Sequence, residues 1–389
     1  MKPQGPSETY VLSSSPHARA DSSVRDIMLD VIVAAVPAVA CGIAFIWRAD
    51  PAAGLHSLLV VATCVLACAA AESLCRLAMR REQTLGDLSC VVTGLLLAAT
   101  LPPGLPLWMC AAGSVFAIAV AKQAFGGLGY NPFNPAAAGR AFMLVSFTGA
   151  MTTWSRSGWI ASVAHGGAGN LAAGLAAEPG VLETCATPLA AMRAALHSGE
   201  AGALVCDWRF LGDLFAGDIN GSIGEISTLA LLLGGAYLLW RRVITWHVPA
   251  AFLGTMAAIA FAALPCSGGL CETAGARAAF AAAHVLAGGA VIAAFFMATD
   301  MVTGPVTAKG KLVFGCGCGA VTMAIRLWGA YPEGASFAIL VMNAFAPLID
   351  RFTRPVPFGR REALRAAKRR AAEEKRKAKS APADAKGAV

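Results

Sequence analysis

Charged residues are scarce in this chain of 389 residues, in which Asp, Glu, Lys and Arg make up only 14% of the sequence. A soluble globular domain carries roughly 25% charged residues. Hydrophobic residues reach 57%, and the mean hydropathy is +0.62. Apolar runs of about 17 to 25 residues, the length that crosses a bilayer, recur along most of the chain. This composition excludes an ordinary soluble enzyme and indicates a protein that crosses a membrane many times.

The basic residues behind the net charge of +8 are concentrated at one end of the chain. Residues 351–389 hold 13 Lys and Arg against 4 Asp and Glu, whereas the preceding 350 residues carry a net charge of −1. A nucleic-acid-binding protein gathers its basic residues on one face or groove of a domain. We therefore predict no nucleic-acid partner, and we expect the surroundings to be a lipid bilayer.

The sequence also lacks the spacings of metal centres and nucleophilic active sites. Its 12 cysteines form no CxxC ladder for an iron–sulfur cluster or a zinc site. The glycines around Cys316 and Cys318 favour close helix packing there over a metal site. The six histidines give no recognisable pair or triad. We predict no metal site and no catalytic side chain of its own.

Ten apolar runs predict an all-α protein with about ten transmembrane helices. The runs lie near 27–47, 55–79, 88–101, 107–125, 134–150, 224–240, 246–264, 278–298, 311–328 and 335–350. They divide the chain into an N-terminal segment 1–26, a first membrane half 27–150, an insertion 151–223, a second membrane half 224–350 and a basic tail 351–389. The run at 88–101 is short and bounded by proline, so we expect it not to cross fully.

The orientation follows from the basic residues in the short loops, because Lys and Arg accumulate on the cytoplasmic side. Basic residues end or follow the second, fourth, sixth and eighth runs, and the tail follows the tenth. The residues concerned are Arg76, Arg80, Arg81, Lys122, Arg241, Arg242, Lys309 and Lys311. All lie on one side if both termini are cytoplasmic, which places 151–223 outside the cytoplasm.

Two short motifs occur once in each half. Asn131-Pro-Phe-Asn-Pro135 leads into the fifth run and Asn343-Ala-Phe-Ala-Pro347 lies in the tenth, while Val92-Thr-Gly94 is echoed by Val302-Thr-Gly304. Two five-helix halves would have opposite topology, as in transport folds whose broken helices meet near the membrane midplane. We predict inverted five-helix repeats with broken helices.

Ionisable residues within apolar runs are costly and are candidates for function. Glu72 lies deep in the second run, with Arg76 one helical turn later, so it is either an ion-coupling group or a structural partner of Arg76. Four aspartates lie near the ends of runs, where an interfacial charge or a helix cap is the simpler interpretation. They are Asp30, Asp87, Asp300 and Asp350. We retain Glu72 and Asp300 as ion-coupling candidates.

Two loop segments offer groups for a ligand. The stretch from Phe125 to Ala136 holds three glycines and two prolines, which predicts a re-entrant turn. Its Asn131 and Asn134 either bind a flat heteroaromatic ligand or bond the broken backbone. In the insertion, Thr187 precedes a proline and is biased to an extended conformation with an accessible hydroxyl.

Taken together, these segments resemble RnfD, a membrane component of the Rnf electron-transport complex, which is an ion-translocating ferredoxin and NAD oxidoreductase of bacterial membranes. The matching segments are Ser15-Pro-His17 with Ile27-Met-Leu29, Gly126 to Pro135, the Thr187 motif, Ala298-Thr-Asp300 and Ile349-Asp-Arg-Phe-Thr-Arg-Pro355. They span the chain from about residue 13 to 359, leaving out only the basic tail.

The resemblance implies that Thr187, in Thr184-Cys-Ala-Thr187, carries FMN through a phosphodiester bond formed by a flavin transferase outside the cytoplasm. Cys185 departs from the family pattern, which often has Gly there, and Glu183 or Glu178 must serve as the upstream acidic residue. The resemblance further implies a noncovalent flavin, riboflavin, for which Asn131, Asn134 and the Gly139-Arg140 turn are the candidates.

The expected function is therefore that of a membrane subunit that relays electrons through FMN while its complex moves Na⁺ or H⁺. The expected partners are RnfA, RnfB, RnfC, RnfE and RnfG and the flavin transferase, in the inner membrane of a bacterium. One alternative is the related membrane component of the sodium-pumping NADH:quinone reductase, although the ending at Ile349 to Pro355 resembles Rnf. The other is a channel or carrier without a redox role.

Overall fold

The computed structural model describes residues 23–153, 188–189, 192–193, 208–217, 221–263, 274–329, 333–355, 360 and 373. Every regular element among these residues is helical. The helices are α1 (Val24–Ala49), α2 (Pro51–Ala78), α3 (Ser89–Ala99), α4 (Leu107–Val115), α5 (Pro135–Ser146), α6 (Thr148–Met151), α7 (Trp208–Ala216), α8 (Thr228–Trp240), α9 (His247–Ala263), α10 (Ala274–Leu286), α11 (Ala290–Ile292), α12 (Ala308–Trp328) and α13 (Ala335–Phe352).

Four described helices are long and apolar enough to cross a membrane: α1, α2, α12 and α13. The bent pair of α10 and α11, with the turn that continues it, makes a fifth span if counted as one, and four shorter apolar helices have 10–17 residues. These shorter helices lie at four of the predicted runs. The chain is therefore an all-α, multi-pass membrane protein, and the count of ten spans stays a prediction.

Helix α3 is short, as its proline-bounded run predicts. Its 11 residues make a rod about 16 Å long, roughly half of a 30 Å hydrocarbon core. Beyond its end the backbone pairs with the segment that leads into α8, because Gly224 N donates to Ala99 O at 2.7 Å and Ile223 N donates to Leu101 O at 3.1 Å. The end of a half-length helix in the first half is thus bound to the second half.

The second half contains its own broken helix. Helices α10 and α11 form a pair bent by 64°, and the residues at the bend are Gly288 and Gly289, with φ of +67° and +65°. Left-handed backbone of this kind is costly for residues with a Cβ. Both halves also contain a π-helical turn, Phe116–Gln123 after α4 and Ala293–Met297 after α11. A broken helix is therefore present in the second half, while a broken helix in the first half and the inverted repeat stay predictions.

The glycines around Cys316 and Cys318 allow helix α12 to approach α9 closely. A Cβ on Gly315 would lie 2.8 Å from Val248 O, and one on Gly319 would lie 2.6 Å from Phe252 O. Small residues at such contacts let helix backbones pack without a gap. The prediction of close helix packing at this run is confirmed.

Candidate functional site

The first group of functional candidates surrounds Glu72, which is fully buried. Lys122 Nζ donates to Glu72 Oε2 at 2.7 Å and to Ser89 Oγ at 2.7 Å. Lys122 is itself only 1% exposed. Of the two interpretations of Glu72, a structural pairing with Arg76 is wrong, since the Arg76 guanidinium instead donates to Glu82 O at 3.0 Å, where the chain leaves α2. We call the group around Glu72 and Lys122 the Ser89-end cluster, after the end of α3 at which it lies.

Two further donors complete the environment of the Glu72 carboxylate. Thr84 Oγ1 donates to Glu72 Oε1 at 2.8 Å, and Gln123 Nε2 donates to the same atom at 3.1 Å. Lys122 and Gln123 both reach Glu72 although they are adjacent in sequence, in the π-helical turn that follows α4. Such π turns occur frequently at functional sites. Lys122 is therefore a buried partner of Glu72, and it does not belong to the surface charge from which the orientation was predicted.

Next to this cluster lies a cavity of about 110 Å³ between the two halves. Lys122, Asn131, Asn134 and Asp300 line it, together with mainly apolar side chains of both halves. Ligand pockets in proteins commonly have volumes of about 300 to 1,000 Å³, mostly apolar walls and a few polar groups. The cavity therefore has the lining of a site for a small organic ligand, and its volume in this structure is below the usual range.

The two asparagines of this cavity are used differently. Asn134 caps α5, because its Oδ1 accepts from Ala137 N at 3.1 Å, and its Nδ2 donates across to Met297 O of the second half at 3.0 Å. Asn131 Nδ2 donates to Phe133 O at 3.0 Å, but its buried Oδ1 has no partner among the described residues. Asn134 thus bonds the backbone, and Asn131 retains an acceptor for a ligand.

Asp300 lies in the wall of this cavity and of a second one of about 240 Å³ that reaches Lys311. Its oxygens accept from Val302 N and from Thr303 Oγ1, both at 3.2 Å, and it has no ion-pair partner in the described part of the chain. The other three aspartates have local roles. Asp30 pairs with Arg241, Asp87 accepts from Ser89, and Asp350 accepts from Val306 N. The simpler interpretation is confirmed for these three.

A second charged group lies at the other end of α3. Arg140 of α5 donates to Thr100 O and forms an ion pair with Glu333. Neither Arg140 nor Gly139 is among the residues that line the cavity, so the structure does not bring them together with Asn131 and Asn134. Gly139 is a packing position, because a Cβ there would lie 2.9 Å from the Cβ of Ala117.

The same group includes Arg326 and Glu225, which sequence reasoning missed. Arg326 of α12 is 4% exposed and binds the carbonyls at the bend after α10, those of His284, Ala287 and Gly288. Glu225 is 6% exposed and accepts from the hydroxyl of Ser222. Each arginine thus binds carbonyl groups where a helix ends, which favours a cation there. We call Arg140, Glu333, Arg326 and Glu225 the Thr100-end cluster.

Comparison with known proteins identifies the family. Residues 11–359 match the family described as NQR2, RnfD, RnfE. This chain belongs to that family.

Its relatives include proteins named for two different ions. The chain is 42% identical over 358 residues to the D component of the proton-translocating ferredoxin:NAD⁺ oxidoreductase complex of Clostridium ljungdahlii, covering 90% of this chain and 97% of the relative. It is also 42% identical over 351 residues to the D component of the Na⁺-translocating complex of Acetobacterium woodii, covering 90% and 95%. The D component of the ion-translocating oxidoreductase complex of Halorhodospira halophila is 39% identical over 370 residues, covering 90% and 95%. The resemblance to RnfD is confirmed.

The threonine that the resemblance assigns to flavin attachment, Thr187, lies outside the described residues, as does Thr184. The next residues along the chain, Pro188 and Leu189, are described and buried. Leu189 Cδ1 occupies the place that a Cβ on Gly288 would take. The chain that follows Thr187 is therefore packed at the bend between α10 and α11, beside the Thr100-end cluster.

Proposed function

We propose that this chain is the membrane subunit of an Rnf-type complex that couples electron transfer between ferredoxin and NAD to the movement of Na⁺ or H⁺. The observation that carries the proposal is 42% identity over 90% of this chain to components of two ferredoxin:NAD⁺ oxidoreductase complexes. One of these is named proton-translocating and the other Na⁺-translocating, so the same identity favours neither ion. The partners are the other Rnf proteins, RnfA, RnfB, RnfC, RnfE and RnfG.

The proposed location is the inner membrane of a bacterium, with both termini in the cytoplasm and residues 151–223 on the outer side. The basic loop residues other than Lys122 support this orientation, since Arg80, Arg81, Arg241 and Arg242 are exposed at helix ends. The flavin transferase that modifies the chain would then act on the outer side.

The proposed electron carrier is FMN on Thr187. Bound FMN would supply one- and two-electron transfer. Thr187 is a tether in this proposal, because attachment through phosphate leaves the isoalloxazine ring free. The nearby Arg326 fits an anionic phosphodiester, since its buried Nε has no partner among the described residues.

The test of this assignment is fluorescence of the denatured chain under ultraviolet light on a gel, after expression with the flavin transferase. Thr187→Ala should abolish the signal, because a phosphodiester survives denaturation only where the hydroxyl is present, and Thr184→Ala should spare most of it. The Thr187→Ala complex should assemble yet lose ferredoxin-to-NAD transfer. Fluorescence retained in Thr187→Ala would refute the assignment, and loss in Thr184→Ala alone would move the tether three residues upstream.

The cavity between the halves is the proposed site of a noncovalent riboflavin. Its mainly apolar walls with a few polar groups suit a flat tricyclic ring. Asn131 would hold the ligand through its unpaired Oδ1, and the Lys122 ammonium would offer a donor beyond those used by Glu72 and Ser89.

Glu72 and Asp300 are the proposed ion-coupling residues. Glu72→Gln should slow ion-coupled turnover while the complex still assembles, because the amide keeps the shape of the side chain and removes only its charge. Asp30→Asn is the control, as Asp30 pairs with the exposed Arg241 and is not among the residues that line the cavity. The measurement is ion uptake by vesicles during electron transfer. Unchanged uptake in Glu72→Gln would return Glu72 to a structural role.

A further inference from the structure

The bend between α10 and α11 is built to receive another part of the chain. Gly288 has φ of +67°, and Leu189 Cδ1 lies where its Cβ would be. Leu189 is 3% exposed and Met192 is fully buried, so both side chains belong to the protein core. A short described stretch of the insertion is thus anchored at a position that only glycine allows.

Arg326 is a charged side chain in direct reach of this anchor. Its Nη2 lies 2.9 Å from the position of a Cβ on Gly288, and it donates to Gly288 O at 2.9 Å and to Ala287 O at 3.0 Å. Its Nε–H is buried and has no partner among the described residues. A buried donor without a hydrogen-bond partner is costly, so an acceptor that binds it would be favoured.

The imidazole of His284, which neighbours Arg326, also lacks hydrogen-bond partners among the described residues. His284 is 4% exposed, and both of its ring nitrogens lack a partner in the described part of the chain. Its backbone carbonyl is bound by Arg326, and its ring packs edge-on with Phe280 at 4.5 Å between centroids. Three unpaired polar nitrogens therefore belong to two residues that share a hydrogen bond.

Glu225 balances the charge of Arg326 without using its free donor. Glu225 Oε2 lies 3.1 Å from the position of a Cβ on Gly289, and the carboxylate is bound by the Ser222 hydroxyl. Arg140 and Glu333 pair with each other. Among the described residues, the buried Nε–H of Arg326 thus remains available for an outside group.

We propose that Gly288, Leu189 and Arg326 form a docking site that fixes the flavin tether, with Leu189 as its apolar anchor and Arg326 as the cation that binds the phosphodiester. The inference rests on the assignment of FMN to Thr187. Two residues of chain span at most about 7 Å, so a phosphate on Thr187 is within reach of the Arg326 fork. Arginine suits such a partner because its planar donors match phosphate oxygens.

The first test replaces the cation in the full chain, purified after expression with the flavin transferase. Arg326→Gln should lower the midpoint potential of the covalent flavin, because a nearby positive charge favours the more negative reduced form. A tenfold decrease in the equilibrium constant for flavin reduction corresponds to a decrease of about 30 mV in the midpoint potential of a two-electron couple. Arg326→Lys keeps the positive charge but lacks the planar guanidinium. Its midpoint potential should lie between those of wild type and Arg326→Gln. The Thr187→Ala chain supplies the signal of any noncovalent flavin for subtraction.

The second test perturbs the anchor and the cation together through the backbone at the bend. Gly288→Ala should displace Leu189 Cδ1 and Arg326 Nη2, because both atoms lie against the new Cβ, and it should shift the midpoint potential. Gly289→Ala is the matched control, since it carries the same left-handed strain with φ of +65° but meets the flexible end of Glu225 in place of Leu189. It should leave the potential unchanged.

Fluorescence of the denatured chain distinguishes failure of the FMN assignment from failure of the docking site. A wild-type chain without gel fluorescence overturns the FMN assignment, and this inference with it. A fluorescent chain whose midpoint potential is the same in Arg326→Gln and Gly288→Ala as in wild type overturns the docking site alone. An equal shift in Gly288→Ala and Gly289→Ala also overturns it, because backbone strain would then explain the effect.

Discussion

The two ends of helix α3 differ in how they keep charge inside an apolar protein. At the Ser89 end, one lysine meets one carboxylate through side chains of the first half alone. At the Thr100 end, two arginines bind backbone carbonyls at helix ends, and the residues come from both halves. The ends are about 16 Å apart along the 11 residues of the helix.

This difference indicates different roles for the charged groups at the two ends of α3. A lysine ammonium is a compact charge on a flexible stem, whereas the planar guanidinium of arginine holds several acceptors in fixed geometry. Lys122 lies in the wall of the ligand cavity, where a charge that can change partner is useful. Arg140 and Arg326 fix the ends of half-length helices. We infer that the Ser89 end serves exchange of charge and the Thr100 end serves position.

The largest expected effect comes from removing the lysine. Lys122→Met leaves the Glu72 carboxylate buried without its cation, which costs about 3 to 5 kcal/mol when such a pair is broken. The free energy of unfolding, followed by denaturant titration in detergent, should fall by that order. Glu72→Gln combined with Lys122→Met removes both charges and should recover most of the loss. If the double variant is as unstable as Lys122→Met, packing and not the charge dominates.

Arginine geometry at the opposite end gives the next effect. Arg140→Lys keeps the charge, but lysine cannot bind both Thr100 O and Glu333 in the planar arrangement of arginine. One of the two hydrogen bonds is therefore lost. A lost hydrogen bond to a charged group costs about 1.5 to 3 kcal/mol. The same titration should show a loss smaller than that of Lys122→Met. Equal stability of Arg140→Lys and wild type would show that only charge matters at this end.

The comparison also shows what could be predicted from sequence. Glu72 stands out because a carboxylate in an apolar run is rare. Arg76 was the only partner that the sequence could suggest, because helical spacing relates only residues of one helix, and Lys122 lies 50 positions later in the chain. Lys122 was visible in the sequence as a loop charge, and only the π-helical turn makes it a buried group.

The roles of Arg326 and Glu225 are harder to recognise in the sequence than that of Glu72. Arg326 lies near the end of a predicted run, where an arginine is ordinary at a membrane surface. Its role depends on a bend in α10 and α11, and two adjacent glycines, Gly288 and Gly289, are the trace of that bend in the sequence. The short α3 was predicted because its prolines are local. Contacts between the two halves depend on the fold of the whole chain, so local spacing cannot supply them.

The smallest effects should come from substitutions of the two asparagines of the cavity. Comparing these variants distinguishes a structural role from a role in ligand binding. Asn134→Ala removes the cap of α5 and the bond to Met297 O, and loss of a cap costs about 1 kcal/mol. Asn131→Ala removes a side chain whose Oδ1 is unpaired, so stability without ligand should change less than in Asn134→Ala. Riboflavin binding to the purified chain, followed by quenching of flavin fluorescence, should weaken more in Asn131→Ala. The reverse order of affinities would mean that Asn134 shapes the cavity and that the free oxygen of Asn131 faces no ligand.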